Sequence, residues 1–171
     1  MEIDNLDIAA SIESAEPGET EIWNMNLYDQ LTSLEGRINR LRYIGLNILA
    51  LIITAVYAIV AGLVIGIIWA ITGLPEFVFD FLVGLVLIPV VYITYAIIVK
   101  RLHDTGRGDG WITYAQALCI LLIIWSMTPV GSTIETSLDL ITAIMGIPLG
   151  IVCLFFSGDP HPNAYGPDPL G

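Results

Sequence analysis

Basic residues are scarce in this sequence, and its first part has none. The 171 residues include 17 acids but only six Lys and Arg, which gives a net charge of −11. Residues 1–35 hold nine acids and no base, so most of the negative charge belongs to one N-terminal segment. Surfaces that bind nucleic acid need clustered Lys and Arg to neutralise phosphates. The composition therefore argues against nucleic acid as a partner.

Cysteine is also scarce. The two cysteines, Cys119 and Cys153, each lie inside a long apolar segment, where oxidants and aqueous metal ions have poor access. We interpret them as small apolar packing residues rather than as a disulfide or a pair of metal ligands. We accordingly expect neither a metal nor a cofactor.

Long apolar segments dominate what the sequence does contain. Hydrophobic residues make up 56% and charged residues 13%, against about 45–50% and about 25% in soluble proteins. Four segments within residues 43–156 have the length of a membrane span, namely 46–70, 77–99, 111–127 and 138–156. The sequence predicts an all-α integral membrane protein with four transmembrane helices in a small bundle. Alternatively, the last two segments form a re-entrant pair, or one span with an interfacial segment.

Three further segments flank this membrane domain. They are an acidic tail expected to be disordered, 1–20, an amphipathic juxtamembrane segment, 21–42, and a Pro/Gly-rich C-terminal tail, 157–171. Trp23, Leu27, Leu31 and Leu34 recur at helical spacing and predict a short interfacial helix, or one docked on the protein's own helices. Because the N-terminus lacks the basic start and early apolar run of a cleavable signal, we expect the first span to remain as an anchor.

The six bases predict the orientation of the spans. They lie in two places, before the first span and between the second and third: Arg37, Arg40 and Arg42, then Lys100, Arg101 and Arg107. Two spans separate these places, so both lie on the same side of the membrane. The positive-inside rule assigns that side to the cytoplasm. With four spans, the N- and C-termini are both expected to be cytoplasmic.

The charged loop after the second span is the most informative stretch for chemistry. Lys100, Arg101 and Arg107 stand three or four residues from Asp104, which predicts local ion pairs if the helix continues. His103 beside Asp104 has the residue types of a general base. Arginines converging from the two basic regions can instead hold a phosphate or a lipid headgroup. Ordinary snorkelling to lipid phosphates is the alternative reading of the same arginines.

Within the spans, the candidates for chemistry are few. Asp80 and Asp139 stand near helix starts, where the helix dipole favours an acid. No ionisable residue is placed deep in a span, as an ion pathway usually requires. Two Gly-x-x-x-Gly pairs, Gly62 with Gly66 and Gly146 with Gly150, predict close helix packing, within one chain or between two copies.

Three motifs together resemble a known family. They are GRINRLRY at 36–43, VKRLHDTGRGDGW at 99–111 and GDPHPNAYGPDP at 158–169. In this order around apolar spans they are similar to the domain of unknown function 805 family, small bacterial inner-membrane proteins whose activity is not established. The resemblance implies a bacterial inner-membrane location. It also favours a shared cytoplasmic cluster of Arg37, Arg40, His103, Asp104, Asn163 and Tyr165.

Three functions follow as hypotheses. The first is a non-enzymatic module that binds an anionic lipid headgroup or a partner protein, through Arg37, Arg40, Arg101, Arg107, Asn163 and Tyr165. The second is a membrane enzyme that acts on a lipid-linked substrate through His103 and Asp104. The third is a small transporter or channel. The expected partners are membrane lipids and either a second copy of the chain or another membrane protein.

Overall fold

The computed structural model describes residues 26–166 and Pro169, and its regular structure is helical. The helices are α1 (Leu27–Thr32), α2 (Arg40–Thr72), α3 (Glu76–Asp104), α4 (Asp109–Ser126) and α5 (Thr133–Phe155). An isolated bridge joins Asn163 to Gly166 in the C-terminal tail. The predicted acidic tail, residues 1–20, and Trp23 lie outside the described residues.

Four of these helices are long and apolar enough to cross a membrane. The longest, α2, has 33 residues, and the shortest, α4, has 18. At 1.5 Å per residue they measure about 50 and about 27 Å, against a hydrocarbon core of about 30 Å. The predicted spans 46–70, 77–99, 111–127 and 138–156 correspond to α2, α3, α4 and α5. The prediction of a four-helix, multi-pass membrane protein is confirmed by the length and hydropathy of these helices, and α4 and α5 are two separate helices.

Local side-chain chemistry determines where these helices begin and end. The Asn39 side chain accepts a hydrogen bond from the Arg42 N–H at 2.8 Å, which caps the start of α2. Gly73 ends the same helix with a φ of 61°, and its N–H donates to the Trp69 carbonyl at 2.9 Å. That left-handed conformation strains any residue with a Cβ. Ser132 caps α5 in the same way as Asn39 caps α2, by accepting from the Glu135 N–H.

The alternating helix directions bring all the basic residues to one end of the bundle. At this end α2 and α4 begin, and α3 and α5 end. The short helix α1 and the tail 157–166 lie against the same end of the bundle, which we call the basic end. The packed core occupies the same half of the molecule, and five of its residues are fully buried: Ala96, Ile97, Leu102, Ala115 and Cys153. By contrast, the far half of α2 exposes a continuous apolar surface, as expected of a helix solvated by lipid tails.

The short helix α1 docks on α3. Leu31 is its buried residue, the Tyr92 hydroxyl of α3 donates to the Thr32 carbonyl at 3.0 Å, and Lys100 Nζ donates to the carbonyls of Asp29 and Gln30. Docking on the protein's own helices, one of the two alternatives for the amphipathic stripe, is the arrangement observed. The predicted apolar stripe is only partly buried, since Leu27 and Leu34 are exposed. A helix of six residues has fewer than two turns and buries only one apolar position.

The Gly-x-x-x-Gly pairs do not form close helix contacts within this chain. A Cβ added at Gly62, Gly66, Gly146 or Gly150 would meet no neighbouring atom within 4 Å among the described residues. The prediction of intramolecular packing at these glycines is therefore wrong, and contact with a second copy stays a prediction. The close approach occurs at Gly84 of α3, where an added Cβ would lie 3.2 Å from Ser126 Oγ and 3.3 Å from Met127 Cα.

Candidate functional site

Three charged side chains meet inside the basic end and form a buried ionic cluster. Arg37 precedes α2, while Arg101 and Asp104 lie in the last turn of α3. Arg37 Nη2 lies 3.3 Å from Asp104 Oδ1, and Arg101 Nη1 donates to Asp104 Oδ2. All three residues are only 1–2% exposed. Buried charges are tolerated only when they are paired and hydrogen-bonded, and this Arg37–Asp104–Arg101 cluster meets that requirement.

Arg37 joins the cluster to the C-terminal tail. Its Nη1 donates to the carbonyls of His161 at 2.9 Å and Gly166 at 3.1 Å, and its Nη2 donates to the carbonyl of Asp159 at 2.5 Å. One guanidinium thus holds three backbone carbonyls of a segment that has no regular secondary structure. The fixed fork of five N–H donors suits arginine to this role better than lysine.

Arg101 joins the same cluster to the end of α5. Its Nε donates to the Cys153 carbonyl at 2.9 Å, and its Nη2 donates to the Phe156 carbonyl at 2.6 Å. The last carbonyls of a helix have no partner inside the helix, and a positive charge there also complements the helix dipole. Arg101 therefore anchors α5 to α3 at the point where the tail leaves the bundle.

His103 lies beside this cluster in a closed environment. Its Nδ1 lies 3.1 Å from the Gly36 carbonyl, and its ring stacks on Tyr165 with centroids 3.8 Å apart and planes 4° from parallel. Asn163 Nδ2 donates to the His103 carbonyl at 3.0 Å, while Asn163 Oδ1 accepts from the Tyr165 N–H at 2.9 Å. Asn163 thereby shapes the turn that places Tyr165 over the imidazole.

Only one of the three predicted ion pairs of Asp104 appears in the structure. The Arg101–Asp104 pair forms, but Lys100 turns to the carbonyls of α1, and Arg107 stacks over the Phe156 ring at 4.1 Å. The helix stops at Asp104, and Gly106 has a φ of 66°. Arg107 therefore lies beyond the end of the helix, and its i,i+3 spacing from Asp104 does not place the two side chains on one helix face.

The structure brings together most of the residues that the motifs suggested. Arg37 and Asp104 belong to the buried cluster, and His103 lies beside it with the half-buried Asn163 and Tyr165 packed on it. Arg40 does not join it and stays on the exposed edge. Gly158 was missed as a site residue. A Cβ at Gly158 would lie only 2.9 Å from the Asp104 Cγ, so only glycine lets the tail pass this close to the cluster.

A groove of about 510 Å³ opens beside the buried cluster. One wall is the start of α2, the other is the tail, and the floor is the end of α3; the lining residues are Asn39, Arg40, Leu41, Ile44, Arg101, Asp104, Ser157, Gly158, Asp159 and Pro160. Sequence reasoning singled out Arg40, Arg101 and Asp104 here but missed Asp159. The Gly-Asp-Pro sequence directly after an apolar span was the available signal, because it starts a rigid, polar segment at the helix end.

The two catalytic candidates, His103 and Asp104, both contact other groups of the chain in this structure. Both Asp104 oxygens bind arginines, and His103 is 7% exposed with one face covered by Tyr165. The His103 ring is thus largely enclosed, and the Asp104 carboxylate, which lines the groove, is already paired. Within the part of the chain that the structure describes, no three His, Cys, Asp or Glu residues are grouped as metal ligands. The groove, in contrast, presents charged and apolar groups at its surface.

Comparison with known proteins agrees with the motifs. A family model described as "Protein of unknown function (DUF805)" matches residues 31–167. No curated protein and no solved structure matches the chain. The matched range contains the whole ionic cluster, the His103–Tyr165 stack and every residue that lines the groove. The chain therefore belongs to the DUF805 family of multi-pass membrane proteins of unknown function.

Proposed function

We propose that this chain is a non-enzymatic membrane module that binds the phosphate group of a membrane lipid in the groove at its basic end. The observation that carries the proposal is the position of Arg40 in that groove. Its side chain is exposed and has no hydrogen-bond or ion-pair partner among the described residues. A guanidinium binds a phosphate through two parallel N–H donors, so Arg40 is ready to do so without breaking an existing interaction.

The apolar lining supports a lipid rather than a soluble phosphate as the occupant. Leu41 and Ile44 lie on α2 next to Arg40 and on the way into the apolar part of the helix. Leu41 is 80% exposed, which is costly for a residue facing water but favourable for one facing an acyl chain. Headgroup and acyl contacts thus follow each other along one helix.

The buried cluster contributes by positioning the second wall of the groove. Arg37 holds the tail carbonyls, and the Asp159 N–H donates to the Asp104 carbonyl at 2.7 Å. These bonds keep residues 157–160 facing the start of α2. In this proposal Arg37, Arg101, His103, Asn163 and Tyr165 act as positioning residues, and Arg40 is the ligand-binding residue. Arg107 lies over aromatic rings and does not line the groove.

We further propose that the basic end faces the cytoplasm in a bacterial inner membrane. All six bases lie at this end of the bundle, and cytoplasmic loops are enriched in Lys and Arg whatever their acid content. Reporter fusions at Gly171 and within the loop after α2 test this orientation. Activity of a periplasm-specific reporter at Gly171 would contradict it.

The binding proposal is tested by the Arg40→Ala variant. The full-length chain is purified from native membranes, and native mass spectrometry measures the retained phospholipid. Losing a charge-assisted contact is expected to weaken retention about tenfold. Arg42→Ala is the matched control, because Arg42 is two residues away and does not line the groove. Equal retention by the wild type and Arg40→Ala would refute the proposed function.

A further inference from the structure

We infer that the groove selects a phospholipid whose headgroup carries a primary ammonium group, with the phosphate at Arg40 and the ammonium at Asp159. The inference rests on the proposed function and names the class of lipid. It also departs from the expectation of a purely anionic headgroup. We depart from that expectation because of the charges that line the groove. The positions of the arginines in the sequence do not show which charges lie there.

The charges that line the groove cancel. Two bases, Arg40 and Arg101, face two acids, Asp104 and Asp159. Arg101 and Asp104 already bind each other, so Arg40 and Asp159 carry the charges that a ligand can still use. They stand on opposite walls, one on α2 and the other on the tail. A headgroup with one negative and one positive group complements both walls, whereas a headgroup with only negative charge is repelled by Asp159.

The backbone of Asp159 is held in place, and one of its carboxylate oxygens stays available. The Asp159 N–H donates to the Asp104 carbonyl, and its own carbonyl accepts from Arg37. Its Oδ1 accepts from the His161 N–H at 3.1 Å and lies 3.5 Å from the His161 imidazole. Within residues 26–166, Oδ2 has no hydrogen-bond or ion-pair partner. A primary ammonium has three N–H donors and satisfies such an oxygen.

The groove dimensions agree with a single headgroup. A volume of about 510 Å³ falls within the roughly 300–1,000 Å³ of small-molecule sites. The polar residues at Arg40 and Asp159 would hold the headgroup, and Leu41 and Ile44 would receive the first part of an acyl chain. A soluble phosphate compound lacks that apolar part, so the inference commits to a membrane lipid.

The test compares three lipids that share their acyl chains and differ in the headgroup. Purified full-length protein is titrated with dioleoyl phosphatidylethanolamine, phosphatidylcholine or phosphatidylglycerol, and native mass spectrometry measures the bound fraction. The first lipid is expected to bind about fivefold tighter than the third, the ratio given by one partly exposed ion pair. Phosphatidylcholine, whose ammonium has no N–H donor, is expected to fall between them.

The variant Asp159→Asn removes the charge and keeps an oxygen to accept from the His161 N–H. We expect it to lose the preference for phosphatidylethanolamine while it binds phosphatidylglycerol at least as well as the wild type does. Retained binding of phosphatidylglycerol shows that the variant is folded. Asp109→Asn is the matched control, since Asp109 is an exposed acid at the basic end that does not line the groove.

The outcomes separate the inference from the proposal beneath it. An unchanged lipid preference in Asp159→Asn overturns the ammonium assignment but leaves phosphate binding at Arg40 intact. Equal binding of all three lipids by Arg40→Ala and the wild type overturns the proposed function together with the inference. Displacement of bound phosphatidylethanolamine by an excess of soluble phosphoethanolamine overturns the commitment to a lipid.

Discussion

Asp104 is the single acid between two buried arginines, and its neutralisation is the sharpest test of how the basic end is held together. The variant Asp104→Asn keeps the shape of the side chain and removes its charge. Arg37 and Arg101 then remain buried and close to each other without a counter-charge. Because Arg37 holds the tail and Arg101 holds α5, the loss is expected to loosen both.

The magnitude follows from the burial of the cluster. Removing one partner of a buried ion pair costs about 3–5 kcal/mol. The two arginines keep their bonds to the carbonyls of Asp159, His161, Cys153 and Phe156, which places the expected loss near the low end, about 3 kcal/mol. For a chain of this length, that loss lowers the melting temperature by roughly 6–12 °C.

The assay is thermal unfolding of the purified protein in detergent, followed by tryptophan fluorescence. Asp109→Asn serves as the control, since its exposed carboxylate is expected to contribute less than about 1 kcal/mol. The double variant Arg37→Met, Asp104→Asn completes a thermodynamic cycle and should be less destabilised than the sum of its single variants. A melting temperature of Asp104→Asn equal to that of Asp109→Asn would refute the assignment of Asp104 as the centre of the cluster.

Two more predictions concern helix packing and the tail. Gly84→Ala places a Cβ against the end of α4 and should cost about 1–3 kcal/mol. Gly62→Ala meets no neighbouring atom and should not destabilise the protein; a large destabilisation at Gly62 would instead indicate contact with a second copy. Arg37→Met releases three carbonyls of the tail, so hydrogen exchange at 157–166 should rise well above that of Arg42→Met. Equal exchange in these two variants would show that the tail is held by other contacts.

The positions of the four long helices could be predicted from the sequence because each depends on a local property. A segment of about 20 apolar residues must satisfy its backbone by forming a helix in a bilayer. The boundaries are also local, since Asn39 caps α2 and Gly73 ends it. The two groups of bases lie at the same end of the bundle because two helices separate them in the sequence.

The partners of the charged side chains could not be predicted in the same way. Arg37, Arg101 and Asp104 were identified as candidates, but the oxygens that satisfy the arginines are backbone carbonyls. Every residue carries a backbone carbonyl, so the residue type does not indicate which carbonyls accept hydrogen bonds from the arginines. The same reasoning explains the helix-packing glycines, because spacing identifies Gly62 and Gly66 without showing whether another helix is beside them.

The amino-acid sequence by itself determined that this chain is a four-helix membrane protein with one basic end. Hydropathy and charge act over short stretches of chain and need no knowledge of the partner. Only the tertiary structure decided that Arg37 and Arg101 are paired with Asp104 in a buried cluster, and that Arg40 and Asp159 line opposite walls of a groove. That arrangement depends on how the tail returns to α2 over more than 100 residues of chain, and no local pattern encodes that return.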